Sequence, residues 1–250
     1  MKEFQDKVIV VTGAASGLGR ACAERFAHEG AFLSLVDKDQ NGLQAVIAGL
    51  GDASSRCLAL STELSLRGPC LGAIRRTVER FGGMDVLCNV AGVLGASRAT
   101  DVSEGLWNLV MSVNLSAPFW LSQAAIPHLI SRKGNIVNVA SVGGLMGEAY
   151  LVPYSVSKAG LIQMTKSLAM EFIRQPVRIN AVAPGGIVTN IMKNESFPSD
   201  AQFDLIARYS GIRPAADPAD VADLVIYLAS DRARNIHGAC ITTDGGASAG

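Results

Sequence analysis

Residues 7–37 read KVIVVTGAASGLGRACAERFAHEGAFLSLVD, and the segment 7–19 within them decides the fold. Residues 7–12 (KVIVVT) are a short, uninterrupted, β-branched apolar run, the composition of a strand buried on both faces. Glycines at 13, 17 and 19 then lead into a helical pattern over 17–29. In a strand–turn–helix setting each glycine has its own task. Gly13 makes the tight turn, Gly17 lets main chain approach a pyrophosphate, and Gly19 permits close helix–strand packing. The unpaired N–H groups and positive dipole end of the helix converge on the same point, so the expected ligand is a dinucleotide.

The next apolar run, 31–36 (AFLSLV), ends at Asp37. A carboxylate there accepts hydrogen bonds from both adenosine-ribose hydroxyls and repels a 2′-phosphate. NAD(H) is therefore the expected cofactor and NADP(H) the less favoured one, with Lys38 as a neighbouring cation that offsets part of the repulsion. Further along, strand-like runs at 57–60, 85–89, 135–140, 177–182 and 240–243 alternate with helical patterns at 40–50, 68–81, 104–113, 117–130, 154–174 and 218–230. This alternation predicts an α/β fold: one doubly wound (Rossmann) domain over 1–250, with a mainly parallel sheet of about seven strands and helices on both faces. The long strand-free interval 186–217 is the expected substrate-covering segment.

Composition narrows the function further. Lys and Arg balance Asp and Glu at 22 each, which argues against an electrostatic nucleic-acid binder. The charged share, 18%, is below the usual roughly 25%, as expected when surface is hidden between subunits. Residues 106–131 lack Asp, Glu, Lys and Arg, but Asn108, Ser112, Asn114, Pro118, Gln123 and Pro127 interrupt them. No apolar run of about 20 survives, so helices against a partner subunit are expected rather than a membrane span. Cys22, Cys57, Cys70, Cys88 and Cys240 have no CxxC spacing and read as reduced thiols, and His28, His128 and His237 have no metal-ligand spacing. The first residues lack a signal peptide's apolar core, so a cytoplasmic location is expected.

The chemistry is expected at residues 154–158 (YSVSK). Positions i and i+4 share a helix face, so the Tyr154 phenol and Lys158 ammonium point into one site. A free phenol, with a pKa near 10, is a poor base at neutral pH. A nearby ammonium, joined by the positive ring of an oxidised nicotinamide, is expected to lower that value. Ser141 follows the strand at 135–140, at the ligand-binding edge of a parallel sheet, where its hydroxyl can hold a substrate oxygen beside Tyr154. A Tyr–Lys pair alone is an ordinary surface pair; combined with the glycine turn, Asp37 and Ser141 it becomes an active-site constellation.

These motifs resemble the short-chain dehydrogenase/reductase family over essentially the whole length, in its short compact branch. The matching segments are TGAASGLG at 12–19, Asn89 with Ala91 and Gly92, Asn114 in SVNL, Ser141, YSVSK, and Pro184-Gly185 with Ile187 and Thr189. The resemblance implies Ser141, Tyr154, Lys158 and Asn114 as catalytic residues, with Tyr154 the general acid/base and Asn114 supporting a water in a proton relay through Lys158. It implies a cofactor site formed by Gly13, Ser16, Gly17, Leu18, Gly19, Asp37, Glu63, Leu64, Asn89, Ala91, Gly92, Tyr154, Lys158, Pro184, Gly185, Ile187 and Thr189, and a homotetramer. Two positions depart from the family pattern. Val90 stands where a second Asn is common, and Glu63 where an Asp usually meets the adenine amine.

The expected reaction is interconversion of a secondary alcohol and a ketone by hydride transfer. A nucleotide-sensing protein without catalysis, or a lyase or epimerase with the same cofactor, are the competing classes. Ile191, Met192, Phe197, Phe203, Leu205, Ile206 and Tyr209 in the covering segment suggest a mostly apolar small-molecule substrate, or else simply pack that segment down. Glu148 serves a polar or cationic substrate group, or else sits on the surface.

Overall fold

A computed structural model describes residues 2–189 and 197–249. The strands are β1 (Val8–Thr12), β2 (Phe32–Asp37), β3 (Cys57–Ser61), β4 (Val86–Asn89), β5 (Asn135–Val139), β6 (Arg178–Pro184) and β7 (Cys240–Thr243). The helices are α1 (Gly17–His28), α2 (Gln40–Gly49), α3 (Arg67–Phe81), α4 (Glu104–Met111), α5 (Ala117–Arg132), α6 (Val152–Glu171), α7 (Phe203–Ala207) and α8 (Pro218–Ala229). The strands form one sheet in the order β3-β2-β1-β4-β5-β6-β7, and every neighbouring pair is parallel. The doubly wound fold expected from the sequence is the fold observed.

Two-sided burial explains why the central strands β1 and β4 are apolar on both faces up to their last residue. Along β1, Ile9 and Val11 face one core with Phe26 of α1 and Val225 of α8. Val8 and Val10 face the opposite core with Ile74 of α3 and Leu121 and Leu129 of α5. Local signals set the helix starts. Asp39 accepts from the Gly42 amide (3.0 Å), Ser103 from Leu106 (3.1 Å) and Asp217 from Ala219 (2.8 Å), each such cap contributing about 1 kcal/mol. Helix α3 ends on Gly82, whose φ of 73° suits a left-handed cap.

The chain leaves β3 on one side and re-enters the sheet as β4 beside β1, so the strand order reverses between β1 and β4. In open α/β sheets the crevice at such a switch point receives the ligand. Between α4 and α5 the helix widens into a π-helical turn at Ser112–Ser116, where an unbroken α-helical pattern to residue 113 was expected. The continuous helical run Glu104–Arg132 is long and apolar enough to cross a membrane by length and composition, yet half of its most apolar window is buried inside the molecule. All five cysteines are free, and burial raises their thiol pKa values, to about 12 for Cys22 and about 11 for Cys57 and Cys70.

Candidate active site

The glycine turn closes as its spacing suggests. Gly13 has φ +67°, and a Cβ there would lie 2.9 Å from the Ala91 Cα, so β1 and the end of β4 meet at main-chain distance. A Cβ on Gly19 would overlap the Gly13 carbonyl, which fixes glycine at that position. Gly17, at φ +51°, faces Thr189 across the crevice, bringing the turn together with the chain beyond β6. Ser16 precedes α1 but its hydroxyl caps no N–H, so the first turn of the helix keeps its amides available to an anion. Thr12, which sequence reasoning assigned no task, accepts from the amides of Val90 (2.9 Å) and Ala91 (3.0 Å) and ties the crevice walls together.

At the end of β2, Asp37 is held by the Ala15 amide (3.1 Å) on one carboxylate oxygen and the Asp39 amide (3.0 Å) on the other. Each oxygen keeps a lone pair for a further donor. The Ser65 amide and hydroxyl, with a smaller contribution from the Lys38 charge, hold the Glu63 carboxyl below its ordinary range. Glu63 accepts from the Ser65 amide at 3.0 Å and is exposed.

Two expected cofactor residues direct their side chains elsewhere. The Leu64 side chain is buried in the core against α3. The Asn89 side chain donates to Asn138 (2.8 Å), which donates to Thr165 of α6 (2.9 Å), a buried polar chain beneath the sheet. At Leu64 only main chain remains for a ligand in the crevice, while at Asn89 the side-chain Oδ1 is buried without a partner among the described residues. Pro184 ends β6, and Gly185 abuts Asp244, where a Cβ would come within 3.0 Å of main chain. Ile187 bridges to Ala216, pinning together the two ends of the covering segment. Of the apolar residues expected there, Ile191 and Met192 lie outside the described residues. Phe203 is largely exposed, while Phe197 stacks edge-on to Tyr150 and the Tyr209 hydroxyl donates to the Ala149 carbonyl (3.0 Å).

Four side chains expected to be catalytic meet at the ends of β4 and β5. Lys158 is 3% exposed, donates to the Val139 carbonyl at 2.9 Å, and sits 5.7 Å from the centre of the Tyr154 ring. A Cβ on Gly92 would touch both the Lys158 Nζ and the Asn114 Oδ1 at 3.4 Å. Asn114 is fully buried in the π-helical turn; it accepts from the Val93 amide (2.8 Å) and donates to the Val93 carbonyl (2.8 Å) and the Ser157 hydroxyl (3.1 Å). Ser141 is buried, accepts from the Gly143 amide at 3.1 Å and lies near enough to Tyr154 for its hydroxyl to favour the phenolate.

Burial dominates the electrostatics of the site in the chain alone. Burial pushes the Tyr154 phenol up to about 12, the Glu148 carboxyl adding to the rise and Ser141 opposing it. Burial also brings Lys158 down to about 8. The ammonium and an oxidised nicotinamide together were expected to lower the phenol; in the chain alone, burial dominates and raises it. The positive charge of an oxidised nicotinamide, once bound, would further favour the phenolate.

The comparisons with known proteins agree with this geometry. Residues 13–248 match the family model described as Enoyl-(Acyl carrier protein) reductase. The chain is 35% identical to meso-2,3-butanediol dehydrogenase of Serratia marcescens, over 98% of this chain and 96% of that one. It superposes with a TM-score of 0.88 and 32% identity on a short chain dehydrogenase from Burkholderia cenocepacia J2315 in complex with NADP, over 98% of this chain and 99% of that one. The chain belongs to the short-chain dehydrogenase/reductase family. A 3-ketoacyl-(acyl-carrier-protein) reductase from Brucella melitensis, complexed with NADH, superposes with a TM-score of 0.86 at 29% identity, over 98% of this chain and 99% of that one. Solved relatives of this short-chain dehydrogenase/reductase therefore hold either nicotinamide cofactor. Its crevice fits such a group: glycines where a Cβ would collide, an uncapped helix start, and a fixed carboxylate at the end of β2.

Proposed function

We propose that this enzyme interconverts a secondary alcohol and a ketone using NAD(H), as a cytoplasmic homotetramer whose subunit is one domain with 186–217 covering the substrate. The observation that carries the reading is the convergence of Ser141 and Tyr154 beside the buried Lys158, whose Nζ lies 5.7 Å from the centre of the Tyr154 ring. Gly13, Ser16–Gly19 and Gly92 cradle the dinucleotide, Asp37 takes the ribose hydroxyls, and Ile187 and Thr189 orient the nicotinamide end. Bound NAD(H) supplies the acceptor or donor of hydride. Ser141 holds the substrate oxygen against the phenol, and Tyr154 takes the proton during oxidation and returns it during reduction. Lys158 keeps positive charge beside the phenol and reaches the nicotinamide ribose. Asn114 has one Oδ1 lone pair and its main chain left for a relay water, since both of its N–H bonds are already made.

Asp37 supports NAD(H) over NADP(H): among the described residues it pairs with no cation, and both of its carboxylate oxygens keep a lone pair for the ribose hydroxyls. The free, buried thiols support a reducing compartment. The test is turnover of an alcohol and ketone panel with each cofactor, read by nicotinamide absorbance. NADH should be used more efficiently than NADPH. Asp37→Ala should weaken NAD binding by about 1.5–3 kcal/mol and narrow that preference. Equal or better use of NADPH by the parent would remove the assignment to Asp37.

A further inference from the structure

Glu148 is a half-buried carboxyl on the loop between Ser141 and Tyr154, and the Ser141–Tyr154 chemistry does not use it. It leans on the main chain immediately beyond Ser141: a Cβ on Gly143 would collide with its carboxylate. Its charge is felt by Tyr154 of α6 and by Tyr209 of the covering segment. The loop that carries it is fixed on three sides. The Tyr150 carbonyl accepts from the Ser97 amide (2.9 Å), the Tyr150 hydroxyl accepts from the Gln202 amide (2.9 Å), and the Ala149 carbonyl accepts from Tyr209. Tyr150 itself holds a left-handed φ of 68°, a conformation that persists only where surrounding contacts enforce it. Yet the Glu148 carboxylate has no hydrogen-bond or ion-pair partner among the described residues. A carboxylate held in place, half withdrawn from water and without a donor, is an acceptor prepared for a ligand.

We propose that Glu148 accepts a hydrogen bond from a second hydroxyl on the substrate, close to the reacting carbinol, so that diols and hydroxyketones are preferred over plain secondary alcohols. The proposal rests on the alcohol–ketone reading above. A neutral hydroxyl suits the site better than an ammonium, because the groups that feel its charge are the neutral phenols of Tyr154 and Tyr209 and a cation would lose its hydration on entry. Burial raises Glu148 to about 7, and the groups that face it, Tyr154 and Tyr209, each lie at about 12, so Glu148 titrates alone among them near neutrality. Lys158, at about 8, serves the reacting centre and affects every substrate alike.

The test compares matched pairs, butane-2,3-diol with butan-2-ol and cyclohexane-1,2-diol with cyclohexanol, plus 3-aminobutan-2-ol, in the parent, Glu148→Gln and Glu148→Leu. The parent should favour the diol within a pair. Glu148→Leu should lower diol kcat/KM by roughly 10- to 100-fold more than mono-alcohol kcat/KM. Glu148→Gln, which keeps an acceptor, should hold part of the preference. In the parent the KM for the diol, but not for the mono-alcohol, should rise as pH falls through about 7, and Glu148→Gln should abolish that limb. Equal use of both members of each pair, or equal losses for both in Glu148→Leu, overturns the proposal while leaving the alcohol–ketone reading intact. Preference for the amino alcohol overturns it in favour of a cation site. Bound NADH with no turnover of any pair overturns the underlying reading instead, and this proposal with it.

Discussion

Burying the Lys158 ammonium brings its pKa from 10.5 to about 8, a penalty on the folded state of about 3 kcal/mol at neutral pH. Below pH 8 both folded and unfolded lysine carry the charge and the penalty is complete. Between 8 and 10.5 the folded lysine has lost its proton while the unfolded one keeps it, so stability rises across that window. Lys158→Met should therefore raise Tm by a few degrees at pH 7, less the lost bond to Val139, and the gain should fade towards pH 10.5. Turnover and cofactor affinity should both fall, since Lys158 is assigned the phenol and the ribose. Thermal melts at pH 7 and pH 10 check this, and an equal drop in Tm at both values would remove the burial penalty. Tyr154→Phe keeps the ring, so NADH binding should survive while turnover falls by roughly 10²–10⁴-fold. In the parent, ultraviolet difference titration should find the phenol near 12 without cofactor and lower once NAD is added. In the oxidation direction the rate should accordingly rise with pH towards that lower value.

Among the elements, the glycine turn is the least tolerant of change and the α3 interior among the most tolerant. Gly19→Ala places a methyl on the Gly13 carbonyl and should destabilise the protein by at least about 1–3 kcal/mol while weakening NADH binding. Gly72→Ala, inside α3 with nothing within 4 Å of the added methyl, should stabilise it by about 0.5–1 kcal/mol. Denaturant titration and NADH fluorescence on both variants separate the two effects. The contrast also shows what was legible before folding. Strand runs and helix periods located all seven strands to within one or two residues, because most are apolar runs buried on two faces and even the partly exposed edge strands β3 and β7 are short and bounded by turns. Helix α6 begins at Val152, ahead of the expected Tyr154, because Pro153 fits the first turn of a helix. The π-helical turn at Asn114 was not legible, since it depends on bonds to Val93 and Ser157, distant in sequence. The five-residue α7 is too short for a periodic signal. The directions of the Leu64 and Asn89 side chains depend on neighbouring elements that a local motif does not describe. The rise of Tyr154 likewise follows from burial, which the sequence pattern YSVSK does not report.

At the scale of the whole molecule, the low charged content meets a concentration of exposed apolar side chains on α4 and α6. Trp107 and Leu109 project from α4, Val152, Val156 and Met170 from α6, and Ile173 from the chain just after it. Helix α6 exposes apolar side chains at Val152, Val156 and Met170, beside polar ones at Gln163 and Lys166. Its inner face meets the sheet through Leu161, Ile162 and Leu168, and its outer face meets nothing in the subunit. Together with α5 and the charge-free stretch 106–131, this surface is what a subunit interface requires, and closed symmetry would pair the same face with itself. Leu109→Arg adds a charge at the centre of that face without touching the crevice. Buried in an interface, the unpaired guanidinium should dissociate the assembly, so light scattering should show a tetramer for the parent at micromolar concentration and smaller species for the variant. Since α6 also carries Tyr154 and Lys158, loss of the partner should lower turnover as well. That loss should be reversed at high protein concentration, as mass action restores the contact. A parent that scatters as a monomer, or a variant tetramer indistinguishable from it, would assign the apolar face of α4 and α6 to something other than self-association.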